Sequence, residues 1–483
     1  MTIELPILVT FIFYLACMLM LGLYAYKKTN NHSDYILGGR SLSPSVAALS
    51  VGASDMSGWL LLGLPGAIYV SGVSEVWIGI GLVAGAALNW MFVAKRLRVY
   101  TEVAGDAQTL PDFLANRFGD TGLLKTVAAI AILVFFTFYT ASGLVGGAIL
   151  FEKVFGLDYT MALLIGTFII VSYTYVGGFF AVSWTDFFQG ILMLLALIIV
   201  PAAMFVEIGG SEAMTTALPE KMFDISPTTG AIGLISLLAW GLGYFGQPHI
   251  LVRFMAIAKP SDVAVSRNIA MGWMILALCG ALATGLVGAA YFAEQPLDNP
   301  ETVFIFLSKV AFNPWVSGIL IAAILSAIMS TVDSQLLVSS SVISEDIYRP
   351  FVNPKATDKE LMLVGRLAVI SIAAIATIIS LDPKSNVLGL VGYAWAGFGA
   401  AFGPMVILSL YWRSYNKFGA IASIITGALT VIIWKNLEGG LFDLYEIVPG
   451  FVFALITGVV VSIMTAKEDA QLNQQFDEFE KSL

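Results

Sequence analysis

Residues 43–72 read SPSVAALSVGASDMSGWLLLGLPGAIYVSG. The stretch is long enough to cross a bilayer, which takes about 20 apolar residues. Its centre nevertheless holds Gly52, Ser54, Asp55, Ser57 and Gly58. Counted from Ser43, Ala53 to Gly58 lie about 15–22 Å in, near the middle of a hydrocarbon layer of about 30 Å. Glycine holds a helix together poorly, and a charge at that depth costs about 2.5–3.5 kcal/mol on insertion scales. Such a cluster fits a helix that is broken and faces a polar cavity, because irregular backbone at membrane depth must line protein or water. Asp55 is either a structural carboxylate bonded to its neighbours or a residue of cation binding or gating. The second is the expectation for an intramembrane acid.

Working outward, the whole chain has the same character. Of 483 residues, 58% are hydrophobic and 12% charged, about half the charged share of a soluble domain. The mean hydropathy of +0.87 leaves no room for a water-soluble core. A net charge of −9, without a basic patch, gives no reason to expect nucleic acid. Cys17 and Cys279 sit in apolar runs and read as packing residues. His32 and His249 have no neighbouring ligands of the kind a metal centre needs. The N-terminus lacks a positive region and a cleavage site, so the first apolar run is expected to be retained as a helix.

Apolar runs of spanning length fall near 5–25, 43–70, 75–94, 123–150, 159–177, 185–206, 229–255, 268–292, 314–346, 361–380, 386–411, 418–435 and 447–465. Thirteen spans are expected, with the N-terminus outside and the C-terminus inside. In that orientation 19 of the 24 Lys and Arg, Arg253 and the Lys27–Lys28 pair among them, fall in cytoplasmic segments. Lys153, Lys221, Lys309, Lys384 and Lys435 fall outside, a split that follows the positive-inside rule. Segment 109–118 reads as a short cytoplasmic helix capped by Thr109 with Pro111 in its first turn. The polar tail from 467 reads as a solvated surface helix without chemistry.

Two other runs are interrupted. Residues 237–254, LLAWGLGYFGQPHILVRF, carry Gly241, Gly243, Gly246 and Pro248 beside Trp240, Tyr244 and Gln247. Proline removes a backbone donor and clashes with the preceding turn, so a break is expected there. The aromatics beside it either pack or line a pocket for a small amphipathic ligand. In the ninth run, Ala327, Ser330, Thr331 and Ser334 share a helical face, with Ser330 near mid-membrane. Hydroxyls in helices often just bond back to the preceding turn. Two adjacent ones at the depth of the first break also suit a hard monovalent cation. The breaks lie five runs apart, which fits two inverted five-helix repeats with binding at their interface.

These residues carry a resemblance. Asp34–Tyr69, Gly177–Gly190 (GGFFAVSWTDFFQG), Gly241–Ala256, Ala327–Leu337 (AIMSTVDSQLL) and Leu390–Pro404 (LVGYAWAGFGAAFGP) resemble the sodium:solute symporter family, and within it the sodium/proline branch, over roughly residues 5–465. The resemblance implies an all-α, LeuT-type membrane protein: a first helix and loop in 1–42, one repeat in 43–206, its inverted partner in 207–412, two peripheral helices in 413–466 and a tail in 467–483. It implies a sodium ion held by Ala53, Met56 and Ala327 through carbonyls and by Ser330 and Thr331 through hydroxyls. It also implies L-proline against Ser54, Ser57, Gly58 and Trp59, closed by Tyr139, Trp240, Tyr244, Gln247 and Pro248. Asp55 would tune or gate that region. Asp333 stands where a neutral residue can occur in this branch. Asp186, at the start of the sixth run, is either part of a second cation site or an interfacial structural residue.

The expected activity is sodium-coupled import of L-proline across a bacterial plasma membrane. The expected partners are the bilayer, sodium and solute, with no nucleotide, organic cofactor or obligate protein partner. Pantothenate or another amino acid as solute, proton coupling through Asp55, and a transporter-like sensor are the alternatives. No GxxxxGK[ST] loop, nucleophile–base pair or charged pore ring points to an ATPase, an enzyme or a channel.

Overall fold

A computed structural model describes residues 4–26, 32–120, 122–176, 178–227, 229–467 and 469–483. Lys27 and Lys28 lie outside the described residues. Within them the fold is all helical, with only an isolated bridge between Leu42 and Ile257. Large apolar side chains such as Leu5, Phe13, Phe168 and Ile378 are exposed, whereas Asp55, Asp186, Asp333 and Arg253 are buried. That inversion of the soluble pattern suits a lipid solvent.

Among the described residues, each of the thirteen apolar runs contains helix. By length and composition, ten helices can cross a membrane, or up to eleven if the pair Gly230–Gly246 and Pro248–Ala256, bent by 46°, counts as one. The count differs from the thirteen expected at identifiable places. Pro44–Asp55 has only 12 residues because its run is broken, and Tyr159–Ser172 is a shorter apolar helix. Gly58–Val103 is counted once at 46 residues, which would be about 69 Å if straight. It is interrupted at Gly72, where a 3₁₀ turn begins; the φ of 74° favours glycine there, and any side chain would run into the Met222 backbone.

Leu110–Phe118 is a helix, with Thr109 Oγ1 accepting from the Asp112 amide at 3.1 Å and proline in its first turn. The tail corrects the expectation of a merely solvated helix. In Ala470–Lys481, Phe476 and Phe479 are buried. The Phe479 ring stacks on Tyr100 with centroids 4.1 Å apart and planes 5° apart. The Arg117 guanidinium lies over Phe118 and Phe476, and Asp477 pairs with Arg413 at 2.9 Å. The i, i+3 spacing of the two phenylalanines makes one apolar stripe, which the polar composition of the tail hides.

The third run meets the second break along a seam. Gly81 and Gly85 lie against the backbones of Leu238 and Gly241, so closely that a methyl group on either glycine would collide with them. Asn89 follows, donating from Nδ2 to the Tyr244 carbonyl at 3.0 Å. The spacing is four residues on one side and three on the other. An α-helix advances about 6 Å in four residues and a 3₁₀-helix about 6 Å in three. Ala239–Gly246 is 3₁₀, so the two registers match.

Candidate cation and solute site

The first break is built locally. Pro44–Asp55 ends where Met56 leaves helical geometry (φ −81°, ψ 71°), and Ser57 is extended. The Ser57 hydroxyl then accepts from the Trp59 amide at 3.4 Å and caps the restart at Gly58. The Asp55 carbonyl, released from the ladder, accepts from the Ser57 amide (3.0 Å), Trp59 Nε1 (3.3 Å) and the Tyr139 hydroxyl (3.3 Å). At the second break Gln247 is extended and Pro248 opens the next helix. Leu42, just before Pro44–Asp55, donates its amide to the Ala256 carbonyl and accepts from the Ala258 amide, both at 3.1 Å, at the end of Pro248–Ala256. The start of one half-helix therefore lies beside the end of the other.

Ala53, Ala327, Ser330 and Thr331 come together, all buried. Ser330 Oγ donates to the Ala53 carbonyl at 2.7 Å and lies 3.2 Å from that of Ala327, and Thr331 Oγ1 is 3.4 Å from the Ala53 carbonyl. These are two carbonyls and two hydroxyls from a break and a facing helix, an oxygen set suited to a hard cation. Met56 is buried three residues beyond Ala53.

The expected solute residues gather around the two breaks. Trp59 and Trp240 rings are 6.4 Å apart. The Tyr244 hydroxyl donates to Asp55 Oδ2 and its ring meets Trp395 edge-on at 5.1 Å. Trp395 Nε1 donates to the Trp240 carbonyl at 2.7 Å, and Gln247 Nε2 donates to Gly243 and Trp395 carbonyls. Gly58 packs on Ile328, and Pro248 is buried beside His249, whose ring meets Tyr139 at 5.9 Å. Ser54 differs: its hydroxyl turns back to the Val51 carbonyl of its own helix.

Asp186 is placed differently from expectation. The sixth helix starts at Phe179, so Asp186 sits two turns inside it rather than at an interface. It is fully buried and pairs with Arg253 Nη2 at 2.9 Å. Arg253, counted above among cytoplasmic charges, is 1% exposed inside the bundle, because Asp186, Ser50, Ser334 and the His249 carbonyl satisfy its guanidinium. Ser334 in turn donates to the Ser330 carbonyl at 2.6 Å, which links the pair to the oxygen cluster. Asp333 accepts from Thr174 at 3.3 Å. Trp395, Ser50 and Asn89 also belong to this neighbourhood. The only sequence signal for them was an isolated polar or aromatic residue within an apolar run.

A family model for the sodium:solute symporter family matches residues 35–427. The chain belongs to that family. It is 52% identical over 473 residues to the high-affinity proline transporter PutP of Bacillus subtilis, covering 96% of this chain and 100% of the relative. It is 50% identical over 488 residues to the sodium/proline symporter of Escherichia coli, covering 99% and 97%. The fold of this family member matches a substrate-bound, outward-open Na⁺-coupled sialic acid symporter with a TM-score of 0.80 at 19% identity, over 97% of this chain and 99% of the other. The nucleobase-cation-symport-1 family transporter Mhp1 matches with a TM-score of 0.56 at 15% identity, over 92% and 98%.

Proposed function

We propose that this chain imports L-proline together with sodium by alternating access, in a bacterial plasma membrane. The observation that carries the reading is the meeting of the first break with the Ser330–Thr331 pair, an oxygen cluster made by two elements that separate if the bundle rocks. Full-length relatives at about half identity, named as proline transporters and sodium/proline symporters, supply the solute. Ala53, Met56, Ala327, Ser330 and Thr331 hold the sodium. Ser57, Gly58, Trp59, Tyr139, Trp240, Tyr244, Gln247 and Pro248 surround the solute, with Ser54 behind them, and Asp55 orders both breaks through its carbonyl and carboxylate. Asp186 and Asp333 stand one turn beyond the cation.

The topology that fits is thirteen crossings, N-terminus out and C-terminus in, with residues 43–206 and 207–412 as inverted repeats, flanked by 1–42, 413–466 and the tail 467–483. The meeting of the two broken helices where Leu42 bonds Ala256 and Ala258 supports binding at the interface of such repeats. Proline is a zwitterion with a small ring. Freed N–H groups and half-helix N-termini attract its carboxylate, and the indoles cover the ring. Sodium stabilises the assembled pocket, which is linkage. A membrane potential of about 100 mV supplies about 2.3 kcal/mol per charge and a tenfold sodium gradient about 1.4 kcal/mol, enough for several-hundredfold accumulation at one-to-one coupling.

Uptake of radiolabelled L-proline into proteoliposomes under sodium, potassium or proton gradients tests the reading. Accumulation driven by sodium alone is expected. Uptake of a different solute, or drive by protons, would replace it.

A further inference from the structure

Residues 436–446 join the last two apolar runs, which the sequence places at the periphery of the bundle. Tyr445 from this loop nevertheless reaches the solute residues. Its ring stacks on Trp240 with centroids 5.4 Å apart and planes 27° apart, so an aromatic series Trp59, Trp240, Tyr445 leads from the first break to the loop. Its amide donates to Ser236 Oγ at 3.0 Å and its hydroxyl to the Gly392 carbonyl at 2.6 Å. Tyr445 thereby straps the helix Gly230–Leu238 to the helix Val387–Tyr411.

Beside the strap lies a cavity of about 450 Å³, to which Trp240, Asn386, Tyr393, Lys435, Tyr445 and Glu446 contribute. On the thirteen-span topology proposed above, it is the outer mouth of the solute pocket. Glu446 is 5% exposed, and its Oε1 is buried without a hydrogen-bond partner among the described residues. It precedes the helix Ile447–Met464 but does not cap it through its side chain. Lys435 Nζ stands 3.8 Å from that oxygen, within pairing range but too far to hydrogen-bond, and its side chain is 53% exposed. A half-exposed pair of that length adds little to stability, whereas a buried carboxylate oxygen without a donor is costly. The fold therefore keeps an acid beside a cation that does not satisfy it, in a space of the size that takes a small organic ligand. Acid, base and aromatic wall together are complementary to an amino-acid zwitterion. Its ammonium takes Glu446 Oε1, its carboxylate takes Lys435 on its flexible stem, and its apolar ring lies against Trp240 and Tyr393.

We propose that this mouth is a first docking station for the solute, a small α-amino acid with free ammonium and carboxylate groups, before it reaches the breaks. This rests on the transport reading above and extends it to Lys435, Tyr445 and Glu446 of the peripheral helices. The station contains none of the oxygens gathered at Ala53 and Ser330, so docking there does not require sodium. Passage inward then requires Tyr445 to leave Trp240.

The test uses the purified full chain in proteoliposomes. Leu388 lines the same cavity, and Leu388→Cys, combined with Cys17→Ser and Cys279→Ser, places a single thiol there. L-proline in sodium-free potassium buffer is expected to slow alkylation of this thiol by a membrane-impermeant maleimide at least threefold. Cyclopentanecarboxylate, the same ring without the ammonium, is expected to leave the rate unchanged. Adding Glu446→Gln or Lys435→Met should abolish the protection by L-proline. In uptake, Glu446→Gln should raise the apparent Km for L-proline at least fivefold with sodium activation within twofold of wild type, a split that loss of a merely structural contact would not give. Absence of protection in sodium-free buffer, equal protection by cyclopentanecarboxylate, or full protection in both charge variants would overturn the proposal. Should Glu446→Gln fail to give a monodisperse protein, Lys435→Met, at an exposed position, decides. If wild type takes up no proline under any gradient, the transport reading fails by itself, and protection of the thiol still judges the station.

Discussion

Replacing Asp186 with asparagine asks whether that carboxylate serves Arg253 or a transported cation. Arg253 and Asp186 are 1% and 0% exposed and 2.9 Å apart. Ser50 Oγ donates to the same carboxylate oxygen at 2.6 Å and receives Arg253 Nε at 2.7 Å. In Asp186→Asn the guanidinium keeps neutral oxygens from Ser50, Ser334 and His249 but loses its counter-charge. Breaking a buried pair on one side costs about 3–5 kcal/mol. The asparagine oxygen still accepts one bond, so about 3 kcal/mol is expected. The double variant Asp186→Leu with Arg253→Met removes both charges at similar volume and should return to within about 1.5 kcal/mol of wild type. Unfolding by dodecyl sulfate in mixed micelles, followed by tryptophan fluorescence, measures both. A double variant as unstable as the single one would refute the pairing argument. So would a single variant of normal stability whose sodium requirement rises.

Ser330→Ala and Thr331→Ala should each raise the sodium concentration for half-maximal uptake about tenfold while costing less than about 1.5 kcal/mol of stability; unchanged sodium activation in both would dissolve the proposed ligand set. Trp240→Ala should raise the apparent Km for solute with little change in sodium activation, since the indole stacks on Tyr445 and meets Trp59 at a tilt; an unchanged Km would make it a packing residue. Glu301 accepts the Val387 and Leu388 amides at 3.1 and 3.2 Å and so caps Val387–Tyr411, and Glu301→Ala should cost about 1–2 kcal/mol in the same unfolding assay. Burial raises the Glu301 carboxyl above its ordinary value, against the pull of those two amides. Its native state then holds the proton more tightly, and its contribution falls as pH climbs past about 4.3; Glu301→Gln should flatten that slope. Phe479→Ala should release the tail from Tyr100, read as faster proteolysis after residue 466 in inside-out vesicles; no change would mean the charged contacts alone suffice.

Both breaks were legible because glycine, proline and polar residues at mid-membrane depth break rules that lipid enforces. The Ser330–Thr331 pair was legible for the same reason, through helical spacing. Arg253 was not. It ends an apolar run, and nothing local separates a basic residue that reaches the cytoplasm from one that turns inward to a carboxylate 67 positions away. The start of the sixth helix at Phe179 was hidden for a similar reason, because FFAVSW reads equally as loop edge or helix. Ser54 shared the motif but turns back on its own helix, an outcome set by a rotamer rather than by its neighbours in sequence. Asn89 was visible only as one amide among apolar letters, and its meaning depends on residues 155 positions distant.

The glycine seam also limits which parts of the bundle are free to slide. With Gly81 and Gly85 seated against the backbone of Leu238 and Gly241, no side chains lie between the two segments to act as bearings, and the 6 Å repeat means that a shift of one step re-engages only after every contact has been lost. The third run and the 3₁₀ segment are therefore welded into one piece, and whatever rocks in the transport cycle carries them together. Spin labels placed on exposed Ile80 of the third run and on exposed Ile235, just before the 3₁₀ segment, should keep a constant separation through a cycle in which labels across the Ala53–Ser330 contact do not.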